Sequence, residues 1–580
     1  MKKIIYLLLL SLAFVPAYSQ WSSNNTVNNS VAVAPNNQAT PKIISDMDGG
    51  VIIVWQDNRV NASSSYGDIY AQRFDRFGVK QWGDTNGLPI AVKPILERYY
   101  DICTDGKGGI IILWEDNPSI YNTIVKAQRV AKNGTKLWSD TGFVVASYGN
   151  RQATPRVAYD FSGGCFYSYY SSEISSNDYE IKANRLDSLG NNLWGTGVSV
   201  SQQPGNPSDI AVCRTTDNGF IAVWGDPRNG ITTETDLYAQ KLNSSGTALW
   251  LTNGIPVCTK RFSQQYQKVM EDNNGGAYVA WTDRRDSISN DIYVQRLRAN
   301  GTFSMVDTAV ALSHDNFEQY RSELAPDMKG GVIVAWYDFR NGPDFPFNID
   351  IYGQRIDSTG NIKWNVNGKN ICDAQYSQIN PAIMSDGNYG AIFTWDDRRA
   401  GTSIYDIYAQ RVDSAGTLLW GVDDAPISIA KGNQYKPQIA PAQNGFVICY
   451  EDTRNGISNY DVFCQKAMMN GSTILLVENN PGFSPKSFEL FQNYPNPFNP
   501  STTIKFTVPE LSFPSDLSGN PVKLTVYDVT GREVEVLVNE RLQSGTYITH
   551  WNGSANPSGI YFYKITAGGY SESRKMILLK

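Results

Sequence analysis

The chain has 580 residues, 12% of them aromatic, 49 glycines and a formal net charge of −6. That length exceeds one ordinary domain, so several domains or one large repeat array must share the burial of its apolar side chains. With no block of lysine or arginine there is no electrostatic footprint for a polyanion, which excludes nucleic acid as a partner.

The first residues read as a secretory signal over 1–19. Lys2 and Lys3 form a charged start, Ile4 to Phe14 an apolar run too short to span a bilayer, and Ala17-Tyr18-Ser19 a small-residue cleavage site before Gln20. No later run is apolar enough for a membrane helix, so the mature protein is expected outside the cytoplasm without a transmembrane segment.

A repeat then organises residues 20–471. Its first copy reads Pro41-Lys-Ile-Ile, Gly49-Gly-Val-Ile-Ile-Val-Trp55-Gln-Asp57-Asn-Arg59, Asp68-Ile-Tyr-Ala-Gln72-Arg-Phe-Asp75, Gly78 and Trp82. Trp55 is echoed by Trp114, Tyr169, Trp224, Trp281, Trp336, Trp395 and Tyr450, which makes eight copies. Gln72 is echoed by Gln128, Asn184, Gln240, Gln295, Gln354, Gln410 and Gln465.

Each copy holds four apolar or alternating segments separated by turn residues, the pattern of a four-stranded antiparallel sheet. The Gly-Gly or Asn-Gly before the second segment supplies the positive φ of a tight hairpin. An all-β, eight-bladed β-propeller is the expected fold, with blades burying their faces on one another. The eighth copy ends near Gly471 without a fourth strand, whereas Trp21 and Val31-Ala-Val33 precede the first copy. The N-terminal strand is therefore expected to complete the last blade and close the ring. An open solenoid, or seven blades with an eighth unit packed outside, explains the missing strand less well.

The recurring aromatic that ends the apolar second strand reads as a wedge between blades rather than a sugar platform, because every copy carries it. Asp57 and Arg59, Asp226 and Arg228, Asp283 and Arg285, Asp338 and Arg340, Asp397 and Arg399, and Asp452 and Arg454 place a ring of charges on one rim. Regular recurrence favours a structural role, since a catalytic site needs unlike residues. Each arginine fork is expected to meet a carboxylate of its own or the adjacent blade, with Asp68, Glu180, Asp236, Asp291, Asp350, Asp406 and Asp461 as candidates. The symmetry breaks in copies two and three, where Pro118 replaces the arginine, Ser171 the aspartate, and Tyr167, Tyr169 and Tyr170 crowd one strand. A ligand site, if the propeller has one, is expected in that sector; drift is the blander reading.

Asp46-Met-Asp48-Gly49-Gly50 opens like a calcium loop but lacks the later acidic ligand, and reads as a hairpin. The only histidines, His314 and His550, stand far apart, and the seven cysteines are scattered singly, so no metal site, cofactor or His-based triad is expected. Cys449 and Cys464 fall on neighbouring strands, where a bridge would be allowed by an oxidising compartment. The repeat's Trp-x-Asp-x-Arg and Asp-Ile-Tyr-Ala-Gln-Arg signatures differ from the Trp-Asp of WD repeats, and the Ser-x-Asp-x-Gly-x-Thr-Trp box of sialidases is absent.

Residues 472–486 read as a linker rich in turn formers, and 487–580 as a small immunoglobulin-like β-sandwich. Within it lie Asn493-Tyr-Pro495-Asn496-Pro497-Phe498, Tyr527-Asp528-Val-Thr-Gly531-Arg532 and Gly559-Ile-Tyr561. In that order the motifs resemble the type A C-terminal sorting domain of the type IX secretion system. The resemblance implies export to the periplasm and passage across the outer membrane by the secretion machinery. It further implies cleavage in the linker, with release or attachment at the surface. On this reading the propeller, a monomer, acts as a scaffold for a glycan or protein ligand; the alternative is a polysaccharide hydrolase or lyase using rim carboxylates.

Overall fold

The computed structural model describes residues 21–579 except 23, 61–66, 93–96, 120–121, 148–150, 173–178, 204, 231–233, 306–308, 343–347, 422–423, 457–458, 472–474, 477–484, 510–519, 543–544 and 554–555. The expected signal sequence and most of the expected linker lie outside that set. All the regular structure described is strand, and among the described residues no helix is long and apolar enough to cross a membrane.

The first sheet shows how each repeat folds. Gln38–Ser45, Val51–Asp57, Asp68–Phe74 and Leu88–Ala91 pair antiparallel in sequence order. Asp46 builds the first hairpin: its Oδ1 accepts the N–H groups of Asp48 and Gly50 at 2.9 and 2.7 Å, and its Oδ2 pairs with Arg73 at 2.7 Å. Val51–Trp55 is buried on both faces, as a strand sandwiched between two other sheets must be.

The same meander repeats down the chain, the second and third sheets being joined by one parallel bridge between Thr123 and Arg151. The last repeat contributes Gln434–Ala442, Gly445–Asp452 and Asp461–Met468. Its fourth strand is Asn29–Ala32, antiparallel to Asp461–Met468 with Asn29 opposite Cys464 and Ala32 opposite Val462. The N-terminal segment thus finishes a sheet begun about 400 residues later in the chain.

Sheet-on-sheet packing makes the arrangement propeller-like. Trp114 packs with Ile52 and Val54 of the sheet before it, Trp395 with Ile333 and Ala335, and Trp55 with Val447 and Cys449 of the last sheet. First strands of successive sheets neighbour one another, and that of the first neighbours that of the last. The outer edge carries a second device. The indole N–H of the tryptophan that precedes the fourth strand reaches a turn carbonyl of the next sheet: Trp82 to Lys132 at 2.9 Å, Trp138 to Ser188 at 3.3 Å, Trp420 to Met469 at 3.2 Å. Trp21 does the same for the last-to-first junction, reaching the Arg76 carbonyl at 3.1 Å. Each ring lies against a left-handed glycine of that turn, Gly134 (φ +87°) for Trp82 and Gly78 (φ +85°) for Trp21, where a Cβ would come within 3 Å of the indole.

The C-terminal module is two further four-stranded sheets. One orders Leu475–Leu476, Gly545–Asn552, Ser501–Val508 and Glu489–Leu490; the other Glu533–Leu542, Asn520–Tyr527, Gly559–Ala567 and Tyr570–Leu578. Phe498, Phe506, Leu524, Tyr547, Trp551 and Tyr563 share a core with their neighbours from both sheets.

Candidate functional site

The rim charges form closed units. Asp338 accepts the Trp336 indole N–H at 3.0 Å through Oδ2 and the Arg340 fork at 2.6 and 2.9 Å, while Arg340 lies 4.2 Å from the Tyr352 ring centre. The tryptophan–aspartate bond recurs at Asp57, Asp226, Asp283 and Asp397. Arg59, Arg228, Arg285, Arg399 and Arg454 each pair with the aspartate two residues before them, and Arg454 lies over Phe463 at 3.8 Å.

One expectation about these arginines needs correction. The Asp68 series is not what the forks meet, because the strand ends at the first aspartate and the chain folds back, bringing the arginine onto that nearer carboxylate. Nor does every fork close on both oxygens. Arg228 meets Asp226 through Nη2 alone, and its buried Nε–H has no acceptor among the described residues. The same Nη2 reaches the Asn253 carbonyl at 3.0 Å, while Asp226 Oδ1 accepts the Arg228 backbone N–H at 3.0 Å. Its guanidinium stacks 3.7 Å from the Tyr238 ring centre, so packing against that ring, with one charged contact, holds Arg228 in place.

Copies two and three keep the unit by another route: Lys126 and Lys182, standing where Tyr70 stands in the first copy, pair with Asp116 at 2.7 Å and Glu180 at 3.0 Å. Tyr167 and Tyr169 are fully buried, and the Tyr170 hydroxyl accepts the Ile210 N–H at 3.2 Å. Tyr167 and Tyr169 of the sector expected for a ligand are thus core, and Tyr170 is half-buried.

The third-strand aspartates sit opposite the first set, Asp338 facing Asp350 and Asp397 facing Asp406 across one rung. Burial pushes Asp350 up to about 7, helped by Asp373 and Asp338, and lifts Asp291, Asp406 and Asp461 to about 6. Asn229, Asn341 and Asn455 donate to Asp236, Asp350 and Asp461 at 2.7, 2.5 and 2.7 Å. The fifth sheet has Asp286 in that place, and His314 Nδ1 lies 2.9 Å from Asp291; the ligating atoms of the three gather within 4.8 Å, a grouping that sequence spacing hides.

A pH dependence follows. In the unfolded chain these four aspartates ionise near 3.8, but the folded state holds their protons to about pH 6–7. The folded state then binds more protons between those limits, so stability is greatest at the acid end and falls as pH rises from about 4 to about 7. After allowance for water at the rim we expect about 1–2 kcal/mol lost per group. Urea unfolding at intervals across that range checks it, with Asp350→Asn flattening the slope; stability rising across the range would contradict it.

The innermost strands hold a feature no sequence motif announced. Every first strand carries a bulge whose central residue is left-handed: Thr40, Tyr99, Thr154, Asp209, Tyr266, Arg321, Asn380 and Lys436, with φ from 35° at Tyr99 to 56° at Tyr266. None is glycine. Such a conformation costs of order 1–3 kcal/mol per residue and persists where the surroundings over-determine it. Here the preceding sheet caps the bulge. Glu451 accepts the Thr40 N–H at 2.8 Å, Glu115 that of Thr154 at 3.2 Å, and Asp396 that of Lys436 at 2.8 Å.

The bulges set unlike side chains along the run of neighbouring first strands, where Tyr99 and Tyr266 are 50% and 41% exposed. A cavity of about 910 Å³ opens there, lined by Tyr99, Asp209, Tyr266 and Arg321 with Lys42, Asp101, Lys268 and Glu323 one step deeper. Lys42 pairs with Asp101 at 2.6 Å and Lys268 with Glu323 at 2.6 Å, each across a sheet boundary. Burial alone would raise Asp101, but Lys42 and Arg156 outweigh it and hold the carboxyl below its usual range. Asp396, behind the wall, is pushed well up by burial. Among the described residues Asp209 is the cavity carboxylate without an ion pair.

Cys449 and Cys464 face each other across one rung, and their thiols are unbridged.

In the C-terminal module the motif residues knit the chain entry to both sheets. Asn493 is buried: its N–H donates to the Tyr563 hydroxyl at 2.8 Å and its amide to the Pro495 carbonyl at 3.1 Å and to Thr502 at 2.9 Å. The Asn496 amide oxygen accepts the Ile577 N–H at 3.0 Å, and Phe498 lies 5.5 Å from Trp551, which meets Tyr561 edge-on at 4.9 Å. Pro497 follows Asn496 through a cis peptide. Tyr527 ends its strand; Asp528 then accepts the Thr530 and Arg532 N–H groups around left-handed Gly531 (φ +82°), its other oxygen holding the Arg532 side chain at 2.9 Å. Gly559 opens the strand bearing Tyr561.

No curated protein matches the chain. Among solved structures it is similar to a protein of unknown function from Dyadobacter fermentans DSM 18053, at 10% identity over 55% of this chain and 95% of that one, TM-score 0.34. It is likewise similar to the GH93 alpha-L-arabinofuranosidase of Fusarium graminearum in complex with arabinobiose (10% identity, 66% and 97% covered, TM-score 0.35). Polysaccharide lyase Uly1 matches at 10% identity with 78% and 95% covered, TM-score 0.33. Likeness that distant carries nothing about activity. The family comparison is different in kind, since residues 492–579 match the secretion system C-terminal sorting domain. The C-terminal module of this chain is a type IX secretion sorting domain, which marks the protein for export to the medium or the outer surface.

Proposed function

We propose that the exported cargo, residues 20–471, is an eight-bladed β-propeller closed by its N-terminal strand, and that it is a binding scaffold whose ligand, a glycan, enters the channel mouth. A signal peptide over 1–19, a linker over 472–486 and an immunoglobulin-like sorting module over 487–580 complete the division. The observation that carries the reading is the ring of eight strained, chemically unlike residues on an otherwise repetitive frame. Positions that recur in every sheet hold the frame together; positions that differ, kept at a cost in backbone strain, suit recognition. Exposed Tyr99 and Tyr266 offer faces for sugar rings, and the exposed Asp209 carboxylate offers a hydrogen-bond acceptor for hydroxyls.

A hydrolase needs two carboxyls flanking one bond, about 5–5.5 or 6.5–9.5 Å apart. In this cavity Asp101 and Glu323 are tied to lysines, which leaves Asp209 alone; on the rim the Asp338 series is held by arginines, while Asp236, Asp350 and Asp461 accept from asparagines. The reading is tested by glycan-array binding of the purified mature protein beside a reducing-sugar assay on the same polysaccharides. We expect binding without turnover, and about tenfold or greater loss on Tyr266→Ala. Turnover abolished by Asp209→Asn would replace the scaffold reading with an enzyme.

A further inference from the structure

The arginines of the sheets are almost all spoken for. Those of the rim clusters pair with the neighbouring aspartate, and those of the opposite hairpins pair as Arg73 does with Asp46, Arg296 with Asp272 at 2.9 Å and Arg355 with Asp327 at 2.8 Å. Arg321 differs. It is exposed, it stands on a left-handed bulge (φ 54°) in the cavity wall, and among the described residues it makes no ion pair and no hydrogen bond. Its guanidinium lies 6.0 Å from the ring centre of Tyr266, the exposed tyrosine of the adjoining sheet. An unpaired guanidinium held beside an aromatic face is a ready partner for an oxyanion attached to a body that stacks.

The neighbouring charges point the same way. Lys268 and Glu323, two residues along the same strands, neutralise each other. Lys42 and Arg156 share one carboxylate, Asp101. Over the whole lining four cations, Lys42, Arg156, Lys268 and Arg321, face three carboxylates, Asp101, Glu323 and Asp209, a surplus of one positive charge that Arg321 carries at the mouth, although the whole chain carries a net charge of −6. A neutral ligand would leave that charge without a counterpart in a partly enclosed site.

We propose that Tyr266 and Arg321 form a subsite for an acidic sugar, bearing a carboxylate or a sulfate, within the glycan of the preceding section, on whose channel reading this inference rests. The sugar ring lies on Tyr266 and its anionic group accepts the fork of Arg321. Asp209, on the sheet adjoining that of Tyr266, accepts hydroxyl protons and disfavours a second anion there.

The experiment is a calorimetric titration of the mature protein with two matched pairs: polygalacturonate against its methyl ester for the carboxylate, and carrageenan against agarose for the sulfate. We expect at least one charged member to bind about tenfold or more tightly than its neutral counterpart, with the difference shrinking in salt. Arg321→Gln removes that difference while leaving the melting temperature unchanged, because the side chain is exposed and unpaired. If charged and neutral members bind alike and Tyr266→Ala weakens both, the acidic-sugar inference is overturned and the channel reading stands. If no probe binds, or binding is indifferent to both substitutions, the two fall together.

Discussion

Replacing Trp21 with alanine is expected to destabilise the repeat array by about 3–5 kcal/mol, the cost of a buried tryptophan whose cavity the surroundings cannot fill. The side chain is 2% exposed, stacks on Phe74 at 5.3 Å and donates its indole N–H to Arg76. What distinguishes it from Trp82, which makes the matching contacts one junction later, is chain connectivity. Trp82 lies in the connection from the third strand to the fourth strand Leu88–Ala91 of its own sheet, whereas the strand after Trp21 is joined to its sheet by pairing alone. The same segment is tied by the Gln465 amide to the Ser22 carbonyl at 2.7 Å and by Arg454 to Asn28 at 2.8 Å. Trp21→Ala should therefore raise hydrogen exchange selectively in Asn29–Ala32 and Asp461–Met468, and Trp82→Ala should not. A loss under about 1 kcal/mol with exchange unchanged would show that the ring does not depend on this strand.

Asp338→Ala is the second large effect, at about 3–5 kcal/mol. The carboxylate is fully buried and satisfies three donors: the Trp336 indole, the Arg340 backbone N–H and the Arg340 fork. Removing it leaves a guanidinium over Tyr352 with its charge unanswered and an indole N–H without an acceptor. Replacing both members, Asp338→Leu with Arg340→Met, should cost much less, because no charge is stranded. Urea unfolding of the two singles and the double gives the coupling. Near-additive losses would contradict the picture of one closed unit.

The parts of the fold that repeat are legible in sequence because each recurs at a fixed place: the wedge at Trp55, the turn at Gly78, the absent fourth strand at Gly471. The channel ring is illegible for the opposite reason. Its members share neither side chain nor charge, and positive φ is ordinarily read from glycine or asparagine, whereas here it falls on Thr40, Tyr266 and Arg321. The sole signal is negative, a position that varies from copy to copy between Gln38 or its counterpart and the apolar strand that follows. The pairing of Arg59 is also hidden, since side chains two apart on an extended strand do not meet; they do so because the strand stops at Asp57. The one-sided grip on Arg228 is hidden further still, because its spacing from Asp226 matches that of Arg340 from Asp338 and only the folded rim shows which nitrogens reach the carboxylate. The exchange of arginine for Lys126 and Lys182 needs the register between second and third strands, which only the folded sheet supplies. In the sorting module the motif is readable as a pattern, while the burial of Asn493 and Phe498 is not.

Recognition is assigned to residues that differ from sheet to sheet, and stability to those that recur. The direct test is to take the best glycan ligand of the mature protein and compare its affinity for Tyr266→Ala, in the channel, with that for Asn341→Ala, on the rim. The account predicts a loss of about tenfold or more in the channel variant and an unchanged affinity in the rim variant. An unchanged channel variant beside a weakened rim variant would contradict it.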